Sequence, residues 1–194
     1  NKYELDSSTV LFDIDKNIFT WYENKVHDPH SLIDNNTFSI LEDYSGLIWI
    51  GTYSGVSTFD PYSTIGHYKN DPFNSKSINE KAVSGIYEDD DGLLWIGTSS
   101  SGVNILNKDR DVIECLTTAN GLSNNRITDI TGAGDYIFIA TYNGLNVVNR
   151  ITGEIEIYDE ENGLYNNIVK KLFYDDLGYL YIGSASGLDA LKLN

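Results

Sequence analysis

Leu47-Ile-Trp-Ile-Gly-Thr52 is a six-residue stretch that recurs in this chain of 194 residues. The other copies are Leu93-Leu-Trp-Ile-Gly-Thr98, Tyr136-Ile-Phe-Ile-Ala-Thr141 and Tyr179-Leu-Tyr-Ile-Gly-Ser184. Their fifth residues are 46, 43 and 43 residues apart, at Gly51, Gly97, Ala140 and Gly183. A period of about 40–50 residues, with several short strands in each repeat, is typical of a β-propeller. The sequence therefore predicts an all-β fold of this architecture.

The second copy shows how each repeat is expected to fold. Four strands are predicted, at residues 83–88, 93–98, 103–106 and 111–116. The second of these strands is apolar on both faces, which favours a sheet that is covered on both sides. Four-stranded antiparallel blades that pack against their neighbours satisfy that condition. Gly97 is expected where another backbone comes close, because glycine has no side chain.

We predict a single propeller domain over residues 1–194, with about four blades present. Its units are expected at approximately 1–24 (the last two strands of a blade), 35–70, 81–117, 125–160 and 167–194 (without a fourth strand). The strand at 18–22 could supply the missing fourth strand, or two chains could exchange strands to form a ring of eight blades. We favour a third alternative, in which this chain is a fragment of a larger ring. The chain has no starting methionine, and we expect it to be part of a longer protein.

The net charge and the composition argue against several classes of binding partner and site. The formal net charge is −16, from 29 acidic and 13 basic residues, so nucleic acids and anionic membrane surfaces are disfavoured as partners. Cys115 is the only cysteine and is expected to act as a small buried apolar residue. No apolar run approaches the roughly 20 residues that a membrane-spanning helix needs.

Two repeats share a longer pattern. It is Ile40-x-Glu42-Asp43-x-x-Gly46-x-x-Trp49-Ile-Gly-Thr52 in one and Ile86-x-Glu88-Asp89-x-x-Gly92-x-x-Trp95-Ile-Gly-Thr98 in the other. The linkers Ala119-Asn-Gly-Leu-Ser-Asn124 and Glu161-Asn-Gly-Leu-Tyr-Asn166 are also alike. With these motifs the chain resembles the two-component regulator propeller family.

The resemblance implies an extracytoplasmic sensor domain of a bacterial signalling receptor, in the periplasm or at the cell surface. Such propellers pass a signal to histidine kinase, response-regulator or diguanylate cyclase modules, and in well-known members the stimulus is a carbohydrate breakdown product. Attachment to a membrane would occur only through segments outside these 194 residues. The expected ligand is an oligosaccharide or another small polar molecule.

The blades of a propeller surround a central channel, and ligands usually bind at one end of it. We take the candidate ligand-binding residues from the loops at that end. That end is formed by the turn after the second strand of each blade and by the linker into the first strand. Four aligned linker positions hold Asn35, Lys81, Asn125 and Asn167, which could hydrogen-bond a polyhydroxylated ligand. The alternative is that the asparagines satisfy backbone groups of turns.

Aromatic and hydroxyl residues stand in the adjoining turns, at Tyr53, Ser99, Ser100 and Tyr142. A tyrosine ring could stack on a sugar while its hydroxyl forms hydrogen bonds. The alternative is that these tyrosines are ordinary surface aromatics.

Other conspicuous residues are expected to be structural. Trp49 and Trp95 lie inside the most buried strand, so we predict that they pack between blades. The assignment of Trp21, on an outer strand, stays open. Asp43 and the run 89–91 lack the spacing of a helix-loop-helix calcium site, and turn formation is the better explanation.

No catalytic, metal or cofactor site is predicted. The three histidines, His27, His30 and His67, show no metal-binding spacing, and there is no nucleophile elbow or phosphate-binding glycine loop. The leading hypothesis is thus a non-enzymatic sensor module. The alternatives are an interaction or dimerisation scaffold without a small ligand and a propeller lyase or glycan-active enzyme. Separately, the terminal strand edges could pair two copies of the chain into a homodimer.

Overall fold

The structure is a computed structural model, and it describes residues 9–13, 17–60 and 65–193. This part of the chain consists of antiparallel strands and a short 3-10 helix at Thr118–Asn120, which confirms the all-β fold. The strands are β1 (Thr9–Asp13), β2 (Ile18–Tyr22), β3 (Thr37–Glu42), β4 (Ile48–Thr52), β5 (Gly55–Phe59), β6 (Gly66–Tyr68), β7 (Val83–Glu88), β8 (Leu94–Thr98), β9 (Val103–Leu106), β10 (Val112–Leu116), β11 (Ile127–Ala133), β12 (Tyr136–Thr141), β13 (Gly144–Asn149), β14 (Ile155–Tyr158), β15 (Val169–Tyr174), β16 (Tyr179–Ser184) and β17 (Leu188–Lys192).

Consecutive strands pair into sheets that form the blades of a β-propeller. The first, second and third blades are the four-stranded sheets β3–β6, β7–β10 and β11–β14. The fourth blade is the three-stranded sheet β15–β17, and β1 and β2 form a two-stranded sheet. Within the described residues β2 pairs with β1 and β17 pairs with β16, so β2 does not supply a fourth strand to the last blade.

The repeated six-residue stretch forms the second strand of each blade and is its most buried part. Trp49 and Phe138 have no exposed surface, and Trp95 is 4% exposed. Trp49 belongs to a cluster with Val83 and Leu94 of the second blade, so its ring packs between two sheets. The predicted packing role of Trp49 and Trp95 is therefore confirmed. Trp21, in contrast, is 67% exposed.

The last residue of the stretch caps the following turn. Its hydroxyl donates a hydrogen bond to the carbonyl of a glycine at the start of the third strand or one residue before it, over 2.8 Å from Thr52 to Gly55 and 2.8 Å from Thr98 to Gly102. Thr141 in the third blade and Ser184 in the fourth do the same. A hydroxyl residue recurs here because the cap needs both a donor and an acceptor.

The aspartate of the shared pattern organises the turn between the first and second strands. Oδ1 of Asp89 accepts hydrogen bonds from the backbone of Asp91 and Leu93, and Oδ2 accepts one from Trp95 Nε1 over 2.9 Å. Asp43 binds Trp49 in the same way over 2.8 Å. The predicted turn role of these aspartates is confirmed, and the spacing of aspartate and tryptophan follows from this hydrogen bond.

Each innermost strand carries a β-bulge near its start, which the sequence analysis did not predict. The register of the first strand shifts by one residue between 37 and 39, 83 and 85, 127 and 129, and 169 and 171. The extra residues are Phe38, Ser84, Thr128 and Lys170. Bulges redirect side chains and are frequent beside functional sites.

Candidate functional site

Two loops of every blade meet at one end of the channel, which we call the channel mouth. The turn after the second strand donates a backbone N–H to the linker that enters the first strand. The bonds run from Tyr53 to Asn36, from Ser99 to Ala82, from Tyr142 to Arg126 and from Ala185 to Ile168, over 3.0–3.3 Å. The predicted site residues therefore lie in loops at this end.

The three asparagines of the predicted site hold their own linkers in place. The side-chain oxygen of Asn125 accepts a hydrogen bond from the Thr118 backbone over 2.7 Å, and that of Asn167 accepts one from Glu160 over 2.8 Å. Asn35 accepts a hydrogen bond from the Asn24 backbone. These bonds are the turn-satisfying role named above as the alternative. Ligand binding by the remaining amide donors stays a prediction.

The other candidates are available to solvent to different degrees. Lys81 is exposed and forms no hydrogen bond or ion pair with the described residues. Tyr53 is 61% exposed, so its ring is free to contact a ligand. Ser99 is half-buried, and the exposed Ser100 donates its backbone N–H to Glu80. Binding by these residues also stays a prediction.

Two cations that were not predicted from the sequence lie close to the Tyr142 ring. The guanidinium carbon of Arg126 is 3.7 Å from the centre of the Tyr142 ring, and Lys170 Nζ is 4.6 Å from it. Lys170 Nζ also donates a hydrogen bond to the Tyr142 hydroxyl over 3.2 Å. We call these three residues the cation–tyrosine cluster. Because Arg126 covers one face of the ring, that face is not open to a stacked sugar.

The cation–tyrosine cluster carries two positive charges. The hydrogen bond from Lys170, together with the nearby Arg126, lowers the pKa of the Tyr142 hydroxyl below its ordinary value. Lys170 is the bulge residue of the fourth blade, whereas Arg126 and Tyr142 belong to the third blade. The cluster therefore bridges two blades at the channel mouth.

A cavity of about 600 Å³ lies mainly among the innermost strands of the blades. Its wall includes Asp129 of the third blade and Lys171 of the fourth, whose Oδ1 and Nζ are 3.5 Å apart. Burial raises the pKa of the Asp129 carboxyl, and the hydrogen bond from the Leu172 backbone and the charge of Lys171 oppose the change. Perturbed carboxyls in a cleft are candidates for function, and this one was not predicted.

The opposite end of the blades contains a structural ion network. Arg110 Nη2 donates hydrogen bonds to Asp43 Oδ2 over 2.9 Å and to Glu88 Oε1 over 3.1 Å, and the guanidinium lies 5.0 Å from the Trp49 ring centre. The network joins the first and second blades. Its carboxylates are thus already engaged in holding blades together.

No helix within the described residues is long and apolar enough to cross a membrane. This statement covers only residues 9–13, 17–60 and 65–193.

Comparison with known proteins supports the resemblance. The sequence pattern of the two component regulator propeller family matches residues 31–54 and 77–100. These segments contain the predicted pattern of the first and second blades, so these two repeats are the part of the chain that matches the family. No curated protein matches the chain.

Solved structures share the fold at low sequence identity. The extracellular domain of a proposed one component system from B. thetaiotaomicron superposes with a TM-score of 0.76 at 22% identity, over 91% of this chain and 25% of that one. The extracellular domain of a proposed hybrid two component system from the same organism gives 0.75 at 24% identity, over 95% and 27%. PorZ, a surface component of the type-IX secretion system of Porphyromonas gingivalis, gives 0.71 at 18%, over 94% and 29%. The chain thus spans about a quarter of the length of each of these three structures.

Proposed function

We propose that this chain is the ligand-sensing part of an extracytoplasmic receptor in a bacterial two-component or related signalling system. The observation that carries the proposal is the match of two repeats to the two component regulator propeller family. The fold shared with extracellular domains of proposed signalling systems supports it. In this function the propeller binds a carbohydrate-like ligand without transforming it, in the periplasm or at the cell surface.

The channel mouth is the place where we propose that the ligand binds. Ligand sites combine a concave surface with a few well-placed polar groups. Here the exposed Tyr53 and Lys81 stand in the loops of the channel mouth, and a cavity of about 600 Å³ lies among the innermost strands. The side chain of Asn35 accepts a hydrogen bond in the first-blade linker, and the Tyr53 turn is hydrogen-bonded to that linker. The Tyr53 ring is therefore presented on an ordered loop, which lowers the entropic cost of binding.

The test is a panel of neutral and charged oligosaccharides, scored by thermal shift and by product analysis. A sensor is expected to gain stability with at least one oligosaccharide, because a ligand that binds the folded state alone raises the melting temperature. It is expected to release no product. Turnover of any panel member would instead support the enzyme, and no shift with any member would contradict carbohydrate sensing.

Tyr142→Ala is expected to weaken ligand binding about tenfold or more, while the melting temperature changes by less than about 3 °C. The substitution removes a hydroxyl and a ring at the channel mouth without opening the core. Tyr136→Ala is the matched control, because Tyr136 is 45% exposed and starts β12 at the other end. A large loss of stability in Tyr142→Ala would assign that residue to packing.

A second candidate function, an interaction scaffold, is supported by the outer face of the fourth blade. Phe173 of β15 is 64% exposed and Leu188 of β17 is 68% exposed. Unpaired edges and exposed apolar surface favour association with a second copy. We expect a dimer by light scattering if this face acts as an interface. A monomer at high concentration would contradict the scaffold.

A further inference from the structure

The cation–tyrosine cluster has a composition that the fold does not require. Four linker positions accept the hydrogen bond of the turn, and they are occupied by Asn36, Ala82, Arg126 and Ile168. The four bulge positions hold Phe38, Ser84, Thr128 and Lys170. The same backbone geometry therefore forms with uncharged residues in the other blades. The charges at the third and fourth blades need another explanation.

Residues at the equivalent bulges show what a purely structural side chain does there. The Ser84 hydroxyl donates a hydrogen bond to the Ile127 carbonyl over 2.7 Å, and the Thr128 hydroxyl donates one to the Val169 carbonyl over 2.8 Å. Each of these bonds joins the innermost strands of adjacent blades. Lys170 departs from this role, because its ammonium reaches back to the Tyr142 hydroxyl at the mouth.

Both cations of the cluster lack a carboxylate partner within the described residues. Arg110, Arg150, Lys76 and Lys171 all form ion pairs there, in a chain with 29 acidic residues. Arg126 and Lys170 instead converge on one tyrosine ring. Two like charges held close to one ring repel each other, and a bound anion would relieve the repulsion.

We propose that Arg126, Tyr142 and Lys170 form an anion-binding subsite, which takes a carboxylate or sulfate group of a sugar ligand at the channel mouth. A guanidinium and an ammonium are the groups that bind such oxyanions with charge-assisted hydrogen bonds. The Tyr142 ring holds the two cations in place, so less conformational entropy is lost when the anion binds. The inference deepens the function proposed above and rests on it for the sugar part of the ligand.

The test compares three probes by isothermal titration calorimetry on the whole chain. The probes are inorganic sulfate, an acidic disaccharide that carries a uronate or sulfate group, and a neutral disaccharide of the same size. The acidic disaccharide is expected to bind at least about tenfold more tightly than the neutral one, with sulfate competing. Higher ionic strength is expected to weaken this binding.

Variants taken from the chain's own repeats separate binding from folding. Arg126→Ala and Lys170→Thr place at each position the residue that the adjacent blade already uses, so both variants are expected to fold. Each is expected to weaken binding of the acidic disaccharide about tenfold or more. Lys108→Gln is the matched control, because it removes one exposed positive charge at the opposite end. Unchanged binding in both mouth variants would overturn the subsite.

A second readout follows the Tyr142 hydroxyl by NMR of labelled tyrosine. Sulfate is expected to raise the pKa of Tyr142 toward its ordinary value, because it neutralises the two cations that lower it. The outcomes of the titrations also distinguish the anion subsite from the sugar-sensing function.

Equal affinity for neutral and acidic disaccharides would overturn the subsite and leave sugar sensing intact. Sulfate binding that needs Arg126 and Lys170, without binding of any sugar, would support the anion subsite and contradict sugar sensing. If no probe binds, both proposals fail.

Discussion

Gly97→Ala is expected to lower the free energy of unfolding by about 1–3 kcal/mol, although it adds only one methyl group. A Cβ atom at this position would lie 2.6 Å from Ile127 Cγ2 and 3.1 Å from Ile130 Cδ1. Ile127 is 1% exposed, and a β-branched side chain is stiff about its first torsion, so it cannot move aside easily. Alanine regains only about 0.5–1 kcal/mol relative to glycine within a strand. Overpacking between the second and third blades is therefore expected to dominate.

Gly183→Ala is the matched control for this prediction. Gly183 is the equivalent residue of the fourth blade, and a Cβ atom there would meet its nearest neighbour, the Lys171 carbonyl oxygen, at 3.5 Å. We expect an unchanged free energy of unfolding, or a gain of up to about 1 kcal/mol. Urea unfolding followed by tryptophan fluorescence measures both variants. Equal stability of the two variants would mean that the close approach at Gly97 is not a constraint.

The fold could be predicted from sequence because its repeat encodes it four times. The six-residue stretch and its terminal hydroxyl residue occupy the same place in all four blades, and a turn aspartate does so in the first, second and fourth blades. Each copy of the repeat therefore supports the prediction made from the others. Gly97 was expected where another backbone comes close, and the structure instead places the Ile127 and Ile130 side chains of the third blade against it. The closure through β2 could not be decided in advance, because strand edges do not identify their partners.

The candidate site was predicted only to the level of its loops. The sequence alignment placed Tyr142 at the channel mouth, but Lys170 is 28 residues away in another blade and faces it only because of a β-bulge. A one-residue shift of register reverses the side on which a strand residue points, and nothing in the local sequence marks this shift. The roles of Arg126 and Lys170 therefore needed the structure.

The linker asparagines show a second limit of prediction from the sequence, which is that one residue type can serve either binding or loop structure. Asn125 and Asn167 are equally suited to a sugar hydroxyl and to a backbone N–H, and residue type does not separate these roles. The structure shows both side-chain oxygens bound to backbone groups seven residues earlier in the chain. In the folded linkers these side-chain oxygens therefore hold the backbone in place, whereas otherwise they would be available to a ligand.

The ion network between the first and second blades contains a carboxylate and a guanidinium that are both largely buried. Asp43 has 1% of its side-chain surface exposed and accepts hydrogen bonds from the Trp49 indole and the Arg110 guanidinium. Arg110 itself is 18% exposed, and its other terminal nitrogen, Nη1, has no hydrogen-bond partner in the described residues. The guanidinium thus depends on Asp43 and Glu88 for compensation of its charge.

Asp43→Ala is expected to cost about 3 kcal/mol of folding free energy, because it removes one of the two carboxylates that compensate the charge of the largely buried Arg110 guanidinium. It also leaves the indole N–H of the fully buried Trp49 without an acceptor. Asp175→Ala is the control, since Asp175 accepts the turn hydrogen bonds of Leu177 and Tyr179 but lies in the last blade, where no arginine reaches it among the described residues. Its expected cost is about 1 kcal/mol. Similar losses in both variants would contradict the importance of the ion network.

The pH dependence of Asp43→Asn provides an independent check. Burial favours the neutral form of the Asp43 carboxyl, but hydrogen bonds from Ser45, Trp49 and Leu47 outweigh it, so the pKa of Asp43 lies below its ordinary value of 3.8. A carboxyl with a lowered pKa in the folded state contributes its full stability above the unfolded value and loses it as pH falls through the folded value. Asparagine does not ionise. The stability difference between wild type and Asp43→Asn is therefore expected to be largest near about pH 7 and to shrink below about pH 4. Urea unfolding at both pH values measures it, and a difference that does not change with pH would show that the charge on Asp43 does not stabilise the fold.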